Sequence, residues 1–358
     1  ASSSTKMSAP SGTSSRLPKW GLPPAVPVLQ AELGMTLVEA GFLLALIQFA
    51  GMCLGLVVGV LSDGFGLRRA MLTGLTVLSA AGAAGGFVSS VPGLLVLRAV
   101  EGFGFLLATV PAPGLLRRTV APAQLTRMLG YWGAYVPFGT ALGMLVGPRV
   151  LAAASWSVWW WLVAGGTAVA ALAVARWVPP DPPRHGTRGL GERVRLTLSH
   201  GGPWLGALAF AVYAAQWMAV IGFLPTLYAA SGWVGGVGAT LSATVAAANV
   251  VGNVGAGLLA RRGWRPDVLL VLGFGGQALG TALAFAPVFA EVPSLRFVGA
   301  LVFSMVGGLV PGTIFGLAPR LAPSEATTST TVGWIQQWSS AGQVVGPPVA
   351  AAVPQFPL

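Results

Sequence analysis

The chain has 358 residues, of which 54% are apolar and 8% charged, with a net charge of +11. An ordinary soluble domain is about 25% charged, so a water-soluble globule is excluded. No basic patch interleaved with aromatics accompanies the positive charge, so no nucleic-acid partner is expected. The single cysteine, Cys53, excludes an intrachain disulfide.

Residues 1–19 are rich in Ser and Thr and read as a disordered tail, since no apolar stretch of signal-peptide length follows. Trp20–Leu29 is apolar but carries Pro23, Pro24 and Pro27; its ten residues reach about 15 Å, half a bilayer. Spans are then predicted at 38–61, 70–91, 93–116, 128–150, 155–178, 202–229, 235–260, 268–289, 294–318 and 328–353. Each holds the roughly 20 mostly apolar residues that cross a bilayer once. The expected fold class is an all-α polytopic membrane protein. It is expected to form two pseudo-symmetric six-helix bundles around a central cavity, with the first helix partial and the twelfth absent.

Charge decides which way the spans run. Arg68 and Arg69 follow the first complete span; Arg117, Arg118 and Arg127 follow the third. Arg176, Arg184, Arg188, Arg193 and Arg195 follow the fifth, Arg261, Arg262 and Arg265 the seventh, and Arg320 the ninth. Lys6, Arg16 and Lys19 add to that side, whereas the opposite side has only Arg149 and Arg296. The positive-inside rule puts the tail and the arginine-rich loops in the cytoplasm, so a bacterial inner membrane protein with a cytoplasmic N-terminus is expected.

Three pairs of motifs recur at nearly one offset. Gly59-Val-Leu-Ser62-Asp63 matches Gly257-Leu-Leu-Ala260-Arg261, and Leu97-Arg98 matches Leu295-Arg296, both 198 residues apart. Gly143-x3-Gly147-Pro148 matches Gly342-x3-Gly346-Pro347 at 199. Same-orientation repeats imply an even number of spans in each half. The expected division is a tail (1–19), a first half (20–178), a Pro- and Arg-rich linker (179–201) and a second half (202–358).

The stretch Gly59-Val-Leu-Ser-Asp63-Gly-Phe-Gly66-Leu-Arg68-Arg69 resembles the signature loop of the major facilitator superfamily of secondary transporters. Leu97-Arg98-Ala-Val-Glu101-Gly102-Phe-Gly104 is similar to its fourth-helix motif, which usually has Gln where this chain has Glu101. Gly139-x3-Gly143-x3-Gly147-Pro148 resembles a fifth-helix motif of antiporters, although Val150-Leu151 stands where a Gly pair should follow. The resemblance implies alternating access for a small solute in a lipid bilayer, with no cofactor and no metal. It also implies that Gly59, Asp63, Gly66, Arg68 and Arg69 form a gate, with Asp63 held by nearby basic groups and facing a helix terminus of the other half. The alternative is a solvated turn whose arginines serve topology alone.

Arg98 and Glu101, about 9 and 14 Å deep, share one helix face and sit where a charge costs about 2.5–3.5 kcal/mol. They are candidates for proton coupling or for meeting an anionic substrate, or else form a static buried pair. Gln48, Tyr131, Tyr135, Tyr213, Gln216, Asn249, Gln336 and Gln337 are polar at mid-depth and should point inward. Glycines at spacing four, namely Gly51, Gly55 and Gly59, Gly139, Gly143 and Gly147, and Gly342 and Gly346, read as close helix contacts between halves. Pro148 and Pro347 read as bends.

The function that follows is secondary transport, proton-coupled, as an antiporter or an organic-anion carrier. The other readings are a truncated, inactive relative and, with both histidines (His185 and His200) in loops and no clustered nucleophile or metal ligands, a membrane-embedded enzyme. Small-molecule substrate and protons are the expected partners, and a monomer is expected.

Overall fold

The computed structural model describes residues 26–182, 189–233 and 236–352, and the tail expected at 1–19 lies outside them. Among the described residues the chain forms α-helices and two short 3-10 turns. In order these are α1 (Val26–Leu33), α2 (Leu37–Phe65), α3 (Leu67–Gly85), α4 (Val91–Thr109), α5 (Ala112–Thr119), α6 (Pro122–Gly133), α7 (Tyr135–Ala153) and α8 (Trp156–Trp177). They continue with α9 (Leu190–Leu198), α10 (Gly201–Ala230), α11 (Gly236–Arg261), α12 (Pro266–Phe285), α13 (Pro293–Gly307), α14 (Leu309–Leu321) and α15 (Thr328–Ala351).

Three expected single spans are broken pairs: α4 with α5, α6 with α7, and α13 with α14. Each break precedes a proline, Pro113, Pro137 or Pro311, and each proline lacks the amide hydrogen owed to the carbonyl four residues back. Pro113-Gly114 and Pro311-Gly312 stand 198 residues apart, so the repeat extends through the break. Pro148 and Pro347, the expected bends, cause no such break and sit inside uninterrupted α7 and α15. The span expected from 128 begins at Pro122, because a proline suits the first turn of a helix.

Among the described residues, eight stretches are long and apolar enough to cross a membrane. The spans predicted over 70–91 and 328–353 are not among them. α15 is polar on a face that is nevertheless covered, with Thr328, Ser329, Thr330, Thr331, Gln336, Ser339 and Ser340 all buried. Its polarity is turned inward, as a bilayer requires.

Within the first half α3 packs on α4 and α8, and α2 on α4; in the second, α10 packs on α15, α12 on α13, and α11 on α13 and α14. The halves meet where α2 lies along α15 and where α11 lies along α6 and α7. Glycine makes the first contact possible. A Cβ on Gly55 would stand 2.6 Å from the Gly333 carbonyl oxygen, and one on Gly59 2.8 Å from the Thr330 Cα. The other expected stripes behave differently. Gly139 and Gly143 have open space where a Cβ would go, so they form no close contact. Gly147 is buried. Gly342 and Gly346 press on the Ala211 and Ala215 carbonyls of α10, a contact inside the second half rather than between halves.

These glycines predict opposite mutational outcomes. At Gly280 a Cβ would lie 2.6 Å from both the Gly299 carbonyl oxygen and the Phe303 Cα, backbone that cannot yield cheaply. Gly280→Ala should destabilise by about 1–3 kcal/mol and lower the melting temperature of detergent-purified protein by several degrees, whereas Gly143→Ala should leave it unchanged. Equal losses from both would contradict this packing.

Candidate functional site

On the arginine-rich face, the last turn of α2 carries Asp63 to the first turn of α15. Its Oδ1 accepts from the Ser329 amide (3.1 Å), and its Oδ2 from the Thr330 amide and hydroxyl (2.7 Å each). The first amides of a helix have no internal acceptor and carry partial positive charge. A carboxylate from the first half therefore caps a helix of the second. The arginines do not hold Asp63, contrary to expectation. The Arg68 and Arg69 amides donate instead to Asp181 (3.1 and 3.0 Å), which also pairs with Arg118 at 2.9 Å, and the Arg68 guanidinium reaches the Ala175 carbonyl.

Gly66 joins α2 to α3 at φ 116°, where an L side chain is strained, and its missing Cβ leaves room for the Asp181 carboxylate. Burial pushes the Asp181 carboxyl up, but the two amides and Arg118 outweigh it and hold it below the usual range. Asp181 was not singled out from the sequence; an acid after Pro179-Pro180 in a basic loop was the available signal. Arg117 and Glu325 form an ion pair between the halves. Arg261, the repeat partner of Asp63, is exposed.

Further into the bundle, beyond the Gly55–Gly333 contact, lies a cavity of about 490 Å³. Gln48, Arg98, Tyr135, Tyr213, Asn249 and Gln336 line it, six of the residues expected to face inward. Polar bonds tie its walls together across the halves: Gln336 donates to the Tyr135 hydroxyl (3.1 Å), and Ser340 to Gln48 Oε1 (3.4 Å). Tyr213 donates to Asn249 Oδ1, and Asn249 Nδ2 to the Ser304 carbonyl (2.7 Å), one turn before the α13–α14 break.

Four expected residues lie off the wall. Tyr131 is exposed on α6, and Gln216 is half-buried on α10 away from the lining. Gln337 accepts from the Leu56 amide (2.9 Å), bonding α15 to α2. Glu101 is turned behind Arg98, against Gly82 of α3. Gln343, Ser339, Ser340 and Thr140 line the cavity and were missed. The first three belong to a polar run in α15 that was legible.

Arg98 and Glu101 pair at 2.5 Å, with side chains 23% and 7% exposed. The cation faces the cavity and the acid faces the packed helices. Arg98 Nε also donates to the Leu43 carbonyl (3.3 Å), and its Cζ lies 5.7 Å from the Trp160 ring centre. Trp160 and Trp156 are buried and meet edge-on at 5.6 Å.

The profile of the Major Facilitator Superfamily matches residues 9–347. The chain belongs to this superfamily of transporters. Among curated proteins it is similar to a tetracenomycin C resistance and export protein of Streptomyces glaucescens, 31% identical over 37% of this chain and 24% of that one. It is similar also to a puromycin resistance protein of Streptomyces alboniger, 30% identical over 53% of this chain and 37% of that one. The matched segments thus span less than half the length of these curated relatives. Among solved structures, the Escherichia coli fucose:proton symporter FucP superposes with a TM-score of 0.70 at 16% identity, covering 94% of this chain and 89% of that one. The human organic anion transporter MFSD10 superposes with 0.70 at 17%, covering 94% and 84%. At such identities the superfamily fold is what is shared.

Asp181→Asn should loosen the loop between α2 and α3 of this superfamily member, seen as faster hydrogen exchange at the Arg68 and Arg69 amides. The folded carboxyl titrates below its unfolded value, so its contribution is full above about pH 4 and is lost only as pH falls through the lowered folded value. Protection in the wild type should therefore stay flat from about pH 5 to 8. Protection that falls with pH inside that window would remove Asp181 as the anchor.

Proposed function

We propose that this chain is a secondary active transporter of a small organic solute, working by alternating access. The observation that carries the reading is the Asp63 cap on α15, a contact between halves that closes one side of an internal cavity. Charge asymmetry supports a cytoplasmic placement of the arginine-rich face, and the bacterial relatives support an inner membrane. Gly59, Asp63, Gly66, Arg68 and Arg69, with Asp181 beneath them, act as the gate. The helix breaks at 110–111, 134 and 308 supply bending points near mid-depth, where freed carbonyls face protein rather than lipid.

Coupling runs through Arg98 and Glu101. A solute that engages Arg98 disturbs its bond to Glu101, so the buried acid responds to loading of the cavity. The name of the Streptomyces glaucescens relative, a resistance and export protein, supports export as the direction.

The gate is testable without knowing the solute. Spin labels at Gln124 and Arg262 stand on opposite halves at the arginine-rich face, both exposed. Asp63→Asn weakens charge-assisted bonds worth about 1.5–3 kcal/mol, so pulsed resonance in nanodiscs should show a longer-distance population that the wild type lacks. Folded yield should hold. An unchanged distance distribution would leave the contact as a mere cap.

A further inference from the structure

Every residue lining the cavity is neutral except one. Arg98 is the only ionisable Asp, Glu, Lys, Arg or His side chain among the described lining residues. Its compensating acid, Glu101, is buried on the other side of it, so the pair presents a positive end to the cavity. Arg98 spends Nη1 on Glu101 and Nε on the Leu43 carbonyl, which leaves Nη2 with no partner of its own among the described residues. A cationic solute would meet this group in low dielectric with no carboxylate to receive it, at a cost that only pairing removes.

The remaining wall is aromatic and amide. Phe105 and Tyr135 stand 6.1 Å apart on the first half; Phe210 stacks on Tyr213 at 5.8 Å and meets Phe315 edge-on at 5.0 Å on the second. These faces accept a planar ring in the offset and edge-on geometries that aromatic pairs prefer. Arg98 and Phe105 are seven residues apart on helix α4, about 10 Å along its axis. That separation sets the distance between the acid and the far ring of a matching solute.

We infer that the solute is an amphipathic aromatic acid, bound with its carboxylate on Arg98 Nη2 and its rings between the Phe105–Tyr135 and Phe210–Phe315 walls. The inference rests on the transport reading and narrows its substrate. The amides of Gln48, Gln336 and Gln343 then serve neutral oxygen or nitrogen substituents on the rings.

The test is a matched series on full-length protein in neutral-lipid nanodiscs at neutral pH: 4-biphenylcarboxylate, its primary amide and 4-biphenylmethylamine, titrated calorimetrically. The carboxylate should bind about tenfold or more tighter than the other two, the scale of one charge-assisted bond. Arg98→Gln should abolish that preference, while Arg149→Gln, an equal charge change on the outside of α7, should retain it and control for partitioning into lipid. Glu101→Gln, which frees Arg98, should bind the carboxylate several-fold tighter. Amide or amine binding as tight as the carboxylate, carboxylate preference surviving Arg98→Gln, or no carboxylate binding at millimolar concentration would each overturn the inference. The spin-label distances at Gln124 and Arg262 do not depend on the solute, so failure here leaves the alternating-access reading standing or falling separately.

Discussion

One part-buried carboxylate of the first half caps a helix of the second at the arginine-rich face of this protein. Asp63 ends α2, and the first amides of α15 need an acceptor that α15 cannot supply. The bond is strong because a formal charge meets a helix dipole, yet it crosses an interface and can be broken without unravelling either helix. The glycine stripe of α2 depends on the same approach. Gly55 and Gly59 lie against α15 backbone two turns and one turn before Asp63. Above them the halves touch through side-chain bonds of modest strength, Gln336 to Tyr135 and Ser340 to Gln48. Strong contact at one face and weaker contact at mid-depth is the distribution that lets a bundle part from one side.

Proline shapes the interior in the same spirit. In hydrocarbon each orphaned carbonyl is costly, so a broken helix persists only where protein covers the break. The breaks before Pro113 and Pro311 occupy matching places in the two repeats, and the break before Pro137 faces Asn253 of α11. Asn249 bonds to the Ser304 carbonyl just ahead of the α13–α14 break while its other end holds Tyr213 at the cavity wall. A group that touches the cavity is thereby tied to the bending point of a helix in its wall.

Arg98 and Glu101 show how depth and direction separate two residues that share a helix face. Both lie in α4 one turn apart, and their spacing alone places them as partners. Only the packing of α3 and α8 behind α4 decides that the acid is enclosed and the cation left at the cavity. The charge of the pair cancels at a distance, but its orientation does not, and a solute at contact range meets the positive end.

The sequence by itself determined the class of fold, the loop motif and the approximate place of the eight crossings found among the described residues, but not their number, having predicted ten. These rest on local rules: a bilayer demands about 20 apolar residues per crossing, and arginine sorts to one side. It also marked Gln48, Arg98, Tyr135, Tyr213, Asn249 and Gln336 correctly as facing inward, since an amide or hydroxyl is costly against lipid. What the tertiary structure alone decided is which inward residues meet the cavity and which meet another helix. Gln336 and Gln337 are neighbours in sequence, yet a helix turns about 100° per residue, so one lines the wall and the other bonds the α2 backbone. Glycine spacing was equally ambiguous, because a small residue permits close contact without specifying a partner: the stripe in α2 found the other half, that in α15 found its own, and Gly139 and Gly143 in α7 found open space. Asp181 could be noticed as an acid in a basic loop, but its role is set by the Arg68 and Arg69 amides more than a hundred positions away.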